Sequence, residues 1–182
     1  MITSLRYQSV VLGRIAVALA KKGEMARAAQ TVGKALDSTN DIDLPYARSY
    51  AIGQLTLSLV EIGINYGDSN LVKAAETANE IENDRLRAYA LWTVAAAQAR
   101  KGMDGEVVKT EKLAIEATDA IGSTLSQVWM LGDIAAENIQ AGQMKRAAIA
   151  FKRGIDIAES IKNAWGRARA LAKMAVTLHN FP

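Results

Sequence analysis

The segment Gln8-Ser9-Val10-Val11-Leu12-Gly13-Arg14-Ile15-Ala16 returns four times along this 182-residue chain, in copies that begin at Arg48, Arg87, Gln127 and Arg167. Successive starts are 40, 39, 40 and 40 residues apart. A period in that range marks stacked helical units, because one short helix pair cannot bury its own apolar face and needs a neighbour to cover it. A second segment, Gly23-Glu24-Met25-Ala26-Arg27-Ala28-Ala29, recurs as Gly142-Gln143-Met144-Lys145-Arg146-Ala147-Ala148. Each unit therefore reads as helix A, a glycine turn, helix B and a polar connector. Gly23, Gly102 and Gly142 each follow an apolar-periodic run, where a residue in the left-handed conformation closes a helix and glycine adopts it without steric cost. The second unit departs from this plan. It carries Gly63-Ile64-Asn65-Tyr66-Gly67-Asp68-Ser69-Asn70 in place of a tight turn, with a shorter helix B.

Apolar spacing predicts A helices over about 5–22, 46–63, 84–101, 124–141 and 164–179. One aliphatic row in them is Leu12, Ile52, Leu91, Leu131 and Leu171, and a second is Ile15, Leu55, Val94, Ile134 and Met174. Three residues apart, the two rows share a helix face. Between them Gly13, Gly53, Gly132 and Ala172 are small, as close helix approach requires, with Trp92 the exception. In helix B, Ala28-Val32-Ala35 and Ala147-Phe151-Gly154 alternate small and larger residues along one stripe. The expected fold is all-α, with about nine helices in antiparallel pairs forming one domain over 1–182. Its units are about 4–43, 44–83, 84–122 and 123–162, followed by a terminal helix 163–180.

Half the residues are apolar, enough for a sizeable core in a chain of this length. Only Pro45 and Pro182 can interrupt a helix, and neither lies inside a periodic segment. Cysteine is absent, which excludes a disulfide framework and thiolate chemistry and leaves a cytoplasmic location as the default expectation. The run from Val10 to Ala20 is broken by Arg14 and followed by Lys21 and Lys22, so it is a repeat helix rather than a secretory signal. No stretch approaches the roughly 20 apolar residues of a membrane span. Net charge is +3, with the two signs interleaved. A nucleic-acid binder would carry a denser basic stripe, so nucleic acid is disfavoured as a partner.

Catalytic constellations are missing from the pattern. The one histidine, His179, falls in the last helical turn and reads as a helix-end residue. Asp37, Thr39 and Asp41 imitate the start of a calcium loop, but Ile42 stands at its glycine position and Arg48 at its bidentate glutamate position. Gly33-Lys34 lacks the rest of a phosphate loop. Glu61, Asp133 and Glu137 have no partner in view that would tune them as acid and base. The expectation is a non-enzyme with no catalytic residue, metal site or cofactor.

At Leu12-Gly13, Ile52-Gly53 and Leu131-Gly132 in helix A, and at Ala28-Val32-Ala35 and Ala147-Phe151-Gly154 in helix B, the chain resembles the tetratricopeptide repeat (TPR) family. The departures are a period longer than the family's usual ~34 residues, a missing proline after helix B, and a poor match at Val107, Glu111 and Ala114. HEAT-like arrays have a period close to this one. The resemblance implies a right-handed α-solenoid whose A helices line a concave groove for a peptide or protein segment. Two rows would then face the ligand: Val10, Tyr50, Tyr89, Trp129 and Arg169, and four residues on Arg14, Gln54, Thr93, Asp133 and Lys173. The aromatic rings read equally as packing between helices. The first row has no lysine and the second no asparagine, so the lysine and asparagine clamp for acidic chaperone tails is not matched.

The row Gln8, Arg48, Arg87, Gln127 and Arg167 is long and polar in every copy. It reads either as a basic edge or as bridges to connector acids such as Asp43, Asp84 and Glu159. The functional expectation is a protein-binding scaffold. Its alternative is an array that assembles with copies of itself, suggested by apolar Leu5, Val10 and Val11 at one end and by Leu171, Met174, Ala175 and Leu178 at the other.

Overall fold

The computed structural model of the chain describes residues 5–179 and residue 181. Among these residues there are nine helices and no strand: α1 (Leu5–Lys21), α2 (Met25–Asn40), α3 (Pro45–Tyr66), α4 (Ser69–Asn79), α5 (Asp84–Arg100), α6 (Asp104–Ala120), α7 (Thr124–Gln140), α8 (Met144–Ser160) and α9 (Ala164–Leu178). The odd-numbered helices are the A helices of the sequence pattern. None of the nine is long and apolar enough to cross a membrane.

Local chemistry sets most of these boundaries. Asn83, Ser123 and Asn163 stand just before α5, α7 and α9, and each side chain accepts a hydrogen bond from a backbone N–H of the first turn. That satisfies a donor which the helix itself leaves open. Before α3 the position is Leu44, and Pro45 starts the helix instead, its missing N–H costing nothing there. Gly23, Gly102 and Gly142 have φ of 78°, 68° and 71°. Each closes an A helix with the same pair of bonds, as where Glu24 N–H reaches Leu19 O and Gly23 N–H reaches Ala20 O.

In the second unit α3 runs through Gly63 to Tyr66, so the expected loop from Gly63 reduces to a turn at Gly67 and Asp68. Gly63 is there for packing. A Cβ on it would lie 2.6 Å from Leu71 Cδ2, which lets α4 start against α3.

The chain divides inside α6 into two compact bodies, Met1–Ile115 and Glu116–Pro182. In the amino-terminal body α1 packs on α2 and α3, and α3 packs on α4 and α5. Its core joins Ala16 and Ala20 of α1, Val32 and Ala35 of α2, Leu55, Leu59 and Ile62 of α3, Leu71 of α4 and Val94 of α5. In the carboxyl-terminal body α7 packs on α8 and α9, and α8 on α9, around Val128, Ala158, Ala170 and Met174. Close approach through glycine holds at Gly13, whose added Cβ would meet Ser58 Oγ at 2.8 Å, and at Gly132, where Lys173 Cε would lie at 2.8 Å. At Gly53 it does not, since the nearest atom is Ile81 Cδ1 at 3.9 Å.

Burial follows the two aliphatic rows with one departure. Leu55, Val94, Ile134 and Met174 are 0–3% exposed, but Ile15 is 44% exposed. Val11 is 37% exposed, whereas Ala51, Ala90, Met130 and Ala170 at its equivalent positions are 0–4% exposed. The cause is tertiary. Within each body α3 packs on α1, α5 on α3 and α9 on α7, whereas α1 has no described A helix before it. At the other end Met174 is buried and Leu171 half-buried, while Ala175, Val176 and Leu178 are exposed.

Connectors repeat as well. Ile42, Ile81 and Ile121 are buried and Ile161 half-buried, and each donates its N–H to a carbonyl three residues back. An apolar plug thus ends every B helix.

Candidate functional site

Residues four apart on a helix lie one above the other. Each A helix therefore presents a stripe of three positions in its first three turns. In the amino-terminal body these are Arg6, Val10 and Arg14 on α1, Tyr46, Tyr50 and Gln54 on α3, and Arg85, Tyr89 and Thr93 on α5. In the carboxyl-terminal body they are Leu125, Trp129 and Asp133 on α7, and Trp165, Arg169 and Lys173 on α9. The structure leaves much of this stripe in solvent: Tyr50 is 38% exposed, Tyr89 36% and Trp165 66%.

In the carboxyl-terminal body four of the expected groove residues meet in two pairs across α7 and α9. The Arg169 guanidinium lies 5.5 Å from the Trp129 ring centroid, and Trp165 flanks it at 4.8 Å. One turn along, Lys173 Nζ reaches Asp133 Oδ1 at 2.5 Å. Exposed cation–π contacts contribute ~0.5–1 kcal/mol each and surface ion pairs ~0–1 kcal/mol. Such small terms orient side chains; they do not hold the fold.

In the amino-terminal body the same geometry recurs around a different arginine. Arg6 lies over the Tyr7 ring at 4.6 Å, 5.6 Å from that of Tyr50, and donates a 2.8 Å hydrogen bond to Tyr7 Oη. Thr93 turns its hydroxyl back to Tyr89 O of its own helix. Gln54 is half-buried and Arg14 exposed. Two cavities lie in this body, the first touching the stripe at Arg6 and the second away from it. One, of about 340 Å³, is lined by Leu5, Arg6, Asp41, Asp43 and Leu44; the other, of about 320 Å³, by Met25, Ala29, Val32, Ile62 and Asn70.

Four members of the neighbouring polar row are held by the architecture, while Gln8 is exposed. Arg87 pairs with Asp84, as the acidic connectors suggest, but Arg48 pairs with Glu82 rather than Asp43. Arg167 donates to Ile161 O at 3.0 Å rather than to Glu159. Gln127 Nε2 donates to Thr118 O and Ile121 O at 3.0 and 2.9 Å. Gln127 and Arg167 thus satisfy carbonyls at the ends of B helices and in the connectors after them, which would otherwise lack donors.

Trp165, Arg6, Tyr7 and Tyr46 are site residues that the two sequence rows do not include. Three of them sit one turn before the first row, where Arg6, Tyr46, Arg85, Leu125 and Trp165 recur at the repeat period. Extending the row by four residues would have found them. Among the described residues no group of three or more His, Cys, Asp and Glu side chains is placed to hold a metal ion. His179 is the residue that caps α9 at its carboxyl end. In comparisons with known proteins, no family model, curated protein or solved structure matches the chain.

Proposed function

We propose that this chain is a non-catalytic scaffold, a right-handed solenoid of about 40-residue helix pairs of the tetratricopeptide type, which binds a peptide or protein segment along its A helices. One observation carries the reading. In the amino-terminal body Tyr50 and Tyr89 stay partly in solvent, Tyr50 near Arg6, and in the carboxyl-terminal body Trp129 is half-buried near Arg169. Rings that only packed helices together would be covered, whereas rings that anchor a ligand need an open face.

The test begins with peptides selected from a random display library on the whole folded chain. Their affinity and the unfolding free energy are then measured for Tyr50→Ala, Tyr89→Ala and Trp129→Ala. Binding should weaken by about 2 kcal/mol or more in at least one variant, as for buried aromatic anchors. A stability loss of about 3–5 kcal/mol with unchanged affinity would assign the rings to packing and overturn the proposal.

A second reading, assembly with further copies of the chain, is favoured by the exposure of Leu5, Val11 and Ile15 on α1 and of Val176 and Leu178 on α9.

A further inference from the structure

The arginine between the two indoles of the carboxyl-terminal body differs from its basic neighbours. Lys173 is held by Asp133, and Arg167 by the Ile161 carbonyl. Arg169 touches only ring faces: no carboxylate, carbonyl or hydroxyl among the described residues accepts a hydrogen bond from it. A guanidinium held over ring faces keeps its N–H groups available, in the fork geometry that matches a carboxylate. Trp165, whose ring the Arg169 guanidinium meets at 4.8 Å, still leaves two-thirds of its surface in solvent.

Resting on the scaffold reading above, we infer that Trp129, Trp165 and Arg169 form a recognition site for a peptide segment that carries one acidic side chain beside a bulky apolar one. The carboxylate pairs with the N–H edge of Arg169, and the apolar side chain covers the indole of Trp165. Contact with the two rings orders part of a long, flexible side chain in advance, so less entropy is lost when the ligand arrives. Charge decides against a polyanion. Asp133 sits one turn from Trp129 and neutralises Lys173, so of the two cations on the α9 stripe among the described residues only Arg169 lacks an ion pair, with a carboxylate nearby. A nucleic-acid strand would meet a carboxylate in the middle of the stripe, where backbone binding favours an unbroken run of cations.

The chain holds three tryptophans, and the third, Trp92, is 4% exposed, which supplies an internal control. Labelled with 5-fluorotryptophan, the whole chain is titrated by fluorine NMR with a short capped peptide bearing one Glu between Phe and Leu. Parallel titrations use the same peptide with Gln for Glu, and oligothymidylate. The acidic peptide should shift the Trp129 and Trp165 signals and leave Trp92 in place. The Gln peptide should bind about tenfold or more weakly, the usual scale for losing a charge-assisted contact. Arg169→Gln should abolish the difference between the two peptides, and Trp165→Ala should weaken both without moving the unfolding midpoint, because Trp165 is mostly exposed.

Equal binding of the two peptides, or an unchanged preference in Arg169→Gln, overturns the inference. Stronger shifts of the same two signals by oligothymidylate would replace it with a nucleic-acid site. Should library-selected peptides depend on Tyr50 and Tyr89 but ignore Arg169, the acidic site falls while the scaffold stands. Selected peptides indifferent to all of these residues remove both.

Discussion

Gln127 shows how one side chain can do structural work that looks like surface chemistry in the sequence. Its amide donates to Thr118 O and Ile121 O, carbonyls at the end of α6 and in the connector after it, and the residue is 7% exposed. Replacing it by alanine leaves Ile121 O without that donor and opens a small void. Gln127→Ala should lower the unfolding free energy by about 1–2 kcal/mol in denaturant titrations, with the slope against denaturant unchanged. Arg169, two residues on in the repeat frame, should behave in the opposite way. Its partners are ring faces at an exposed site, so Arg169→Gln should cost well under about 1 kcal/mol of stability. If Gln127→Ala proves neutral, the capping role assigned to this row is wrong.

At the scale of the helix, glycines with three different surroundings give three different expectations. Gly33 lies within α2, and a Cβ there would meet nothing within 4 Å. Gly33→Ala should therefore stabilise the chain by about 0.5–1 kcal/mol through the reduced entropy of the unfolded state. Gly102 has φ of 68°, strained for any side chain, and Gly102→Ala should lose about 1 kcal/mol. Gly63 is helical, but its added Cβ would lie 2.6 Å from Leu71 Cγ and 3.1 Å from Leu71 N, in a contact that is fully buried. Overpacking of about 1–3 kcal/mol outweighs the helix-propensity gain of about 1 kcal/mol, so Gly63→Ala should be net destabilising. Thermal or denaturant unfolding of the three variants checks the order; a stabilising Gly63→Ala would show that α4 does not need its close seat on α3.

For the molecule as a whole, the exposed faces of α1 and α9 bear on assembly. Val11 and Ile15 occupy positions that are 0–4% exposed in every later A helix, so the surface they form is one the fold covers elsewhere. Arg14 and Lys22 flank it, and salt that screens them should strengthen contact between copies. Light scattering in moderate salt should give a mass above the 19.6 kDa of one chain. Ile15→Lys should return it toward that value without loss of stability, since Ile15 is already 44% exposed. A mass of one chain at every accessible concentration, unmoved by the substitution, would sink the self-assembly reading and leave the peptide scaffold.

The amino-acid sequence by itself determined where the helices lie. A helices expected at 5–22, 84–101 and 124–141 appear as Leu5–Lys21, Asp84–Arg100 and Thr124–Gln140. The left-handed turns fall on the three glycines expected, Gly23, Gly102 and Gly142. These features depend on local chemistry, such as apolar spacing along a helix, a cap residue before it and a glycine after it, and a repeat states that chemistry several times over. Tertiary structure alone decided which polar residues are occupied. Gln127 and Arg167 look like Arg169 in sequence, yet the first two reach carbonyls behind their own helices, whereas Arg169 meets two indoles, one of them on another helix. Likewise Ile15 and Leu55 share a repeat position, and only the helix packed in front of α3 separates a solvent-facing side chain from a buried one. A side chain's partners and its burial are set by what the chain brings opposite it, and no local pattern records that.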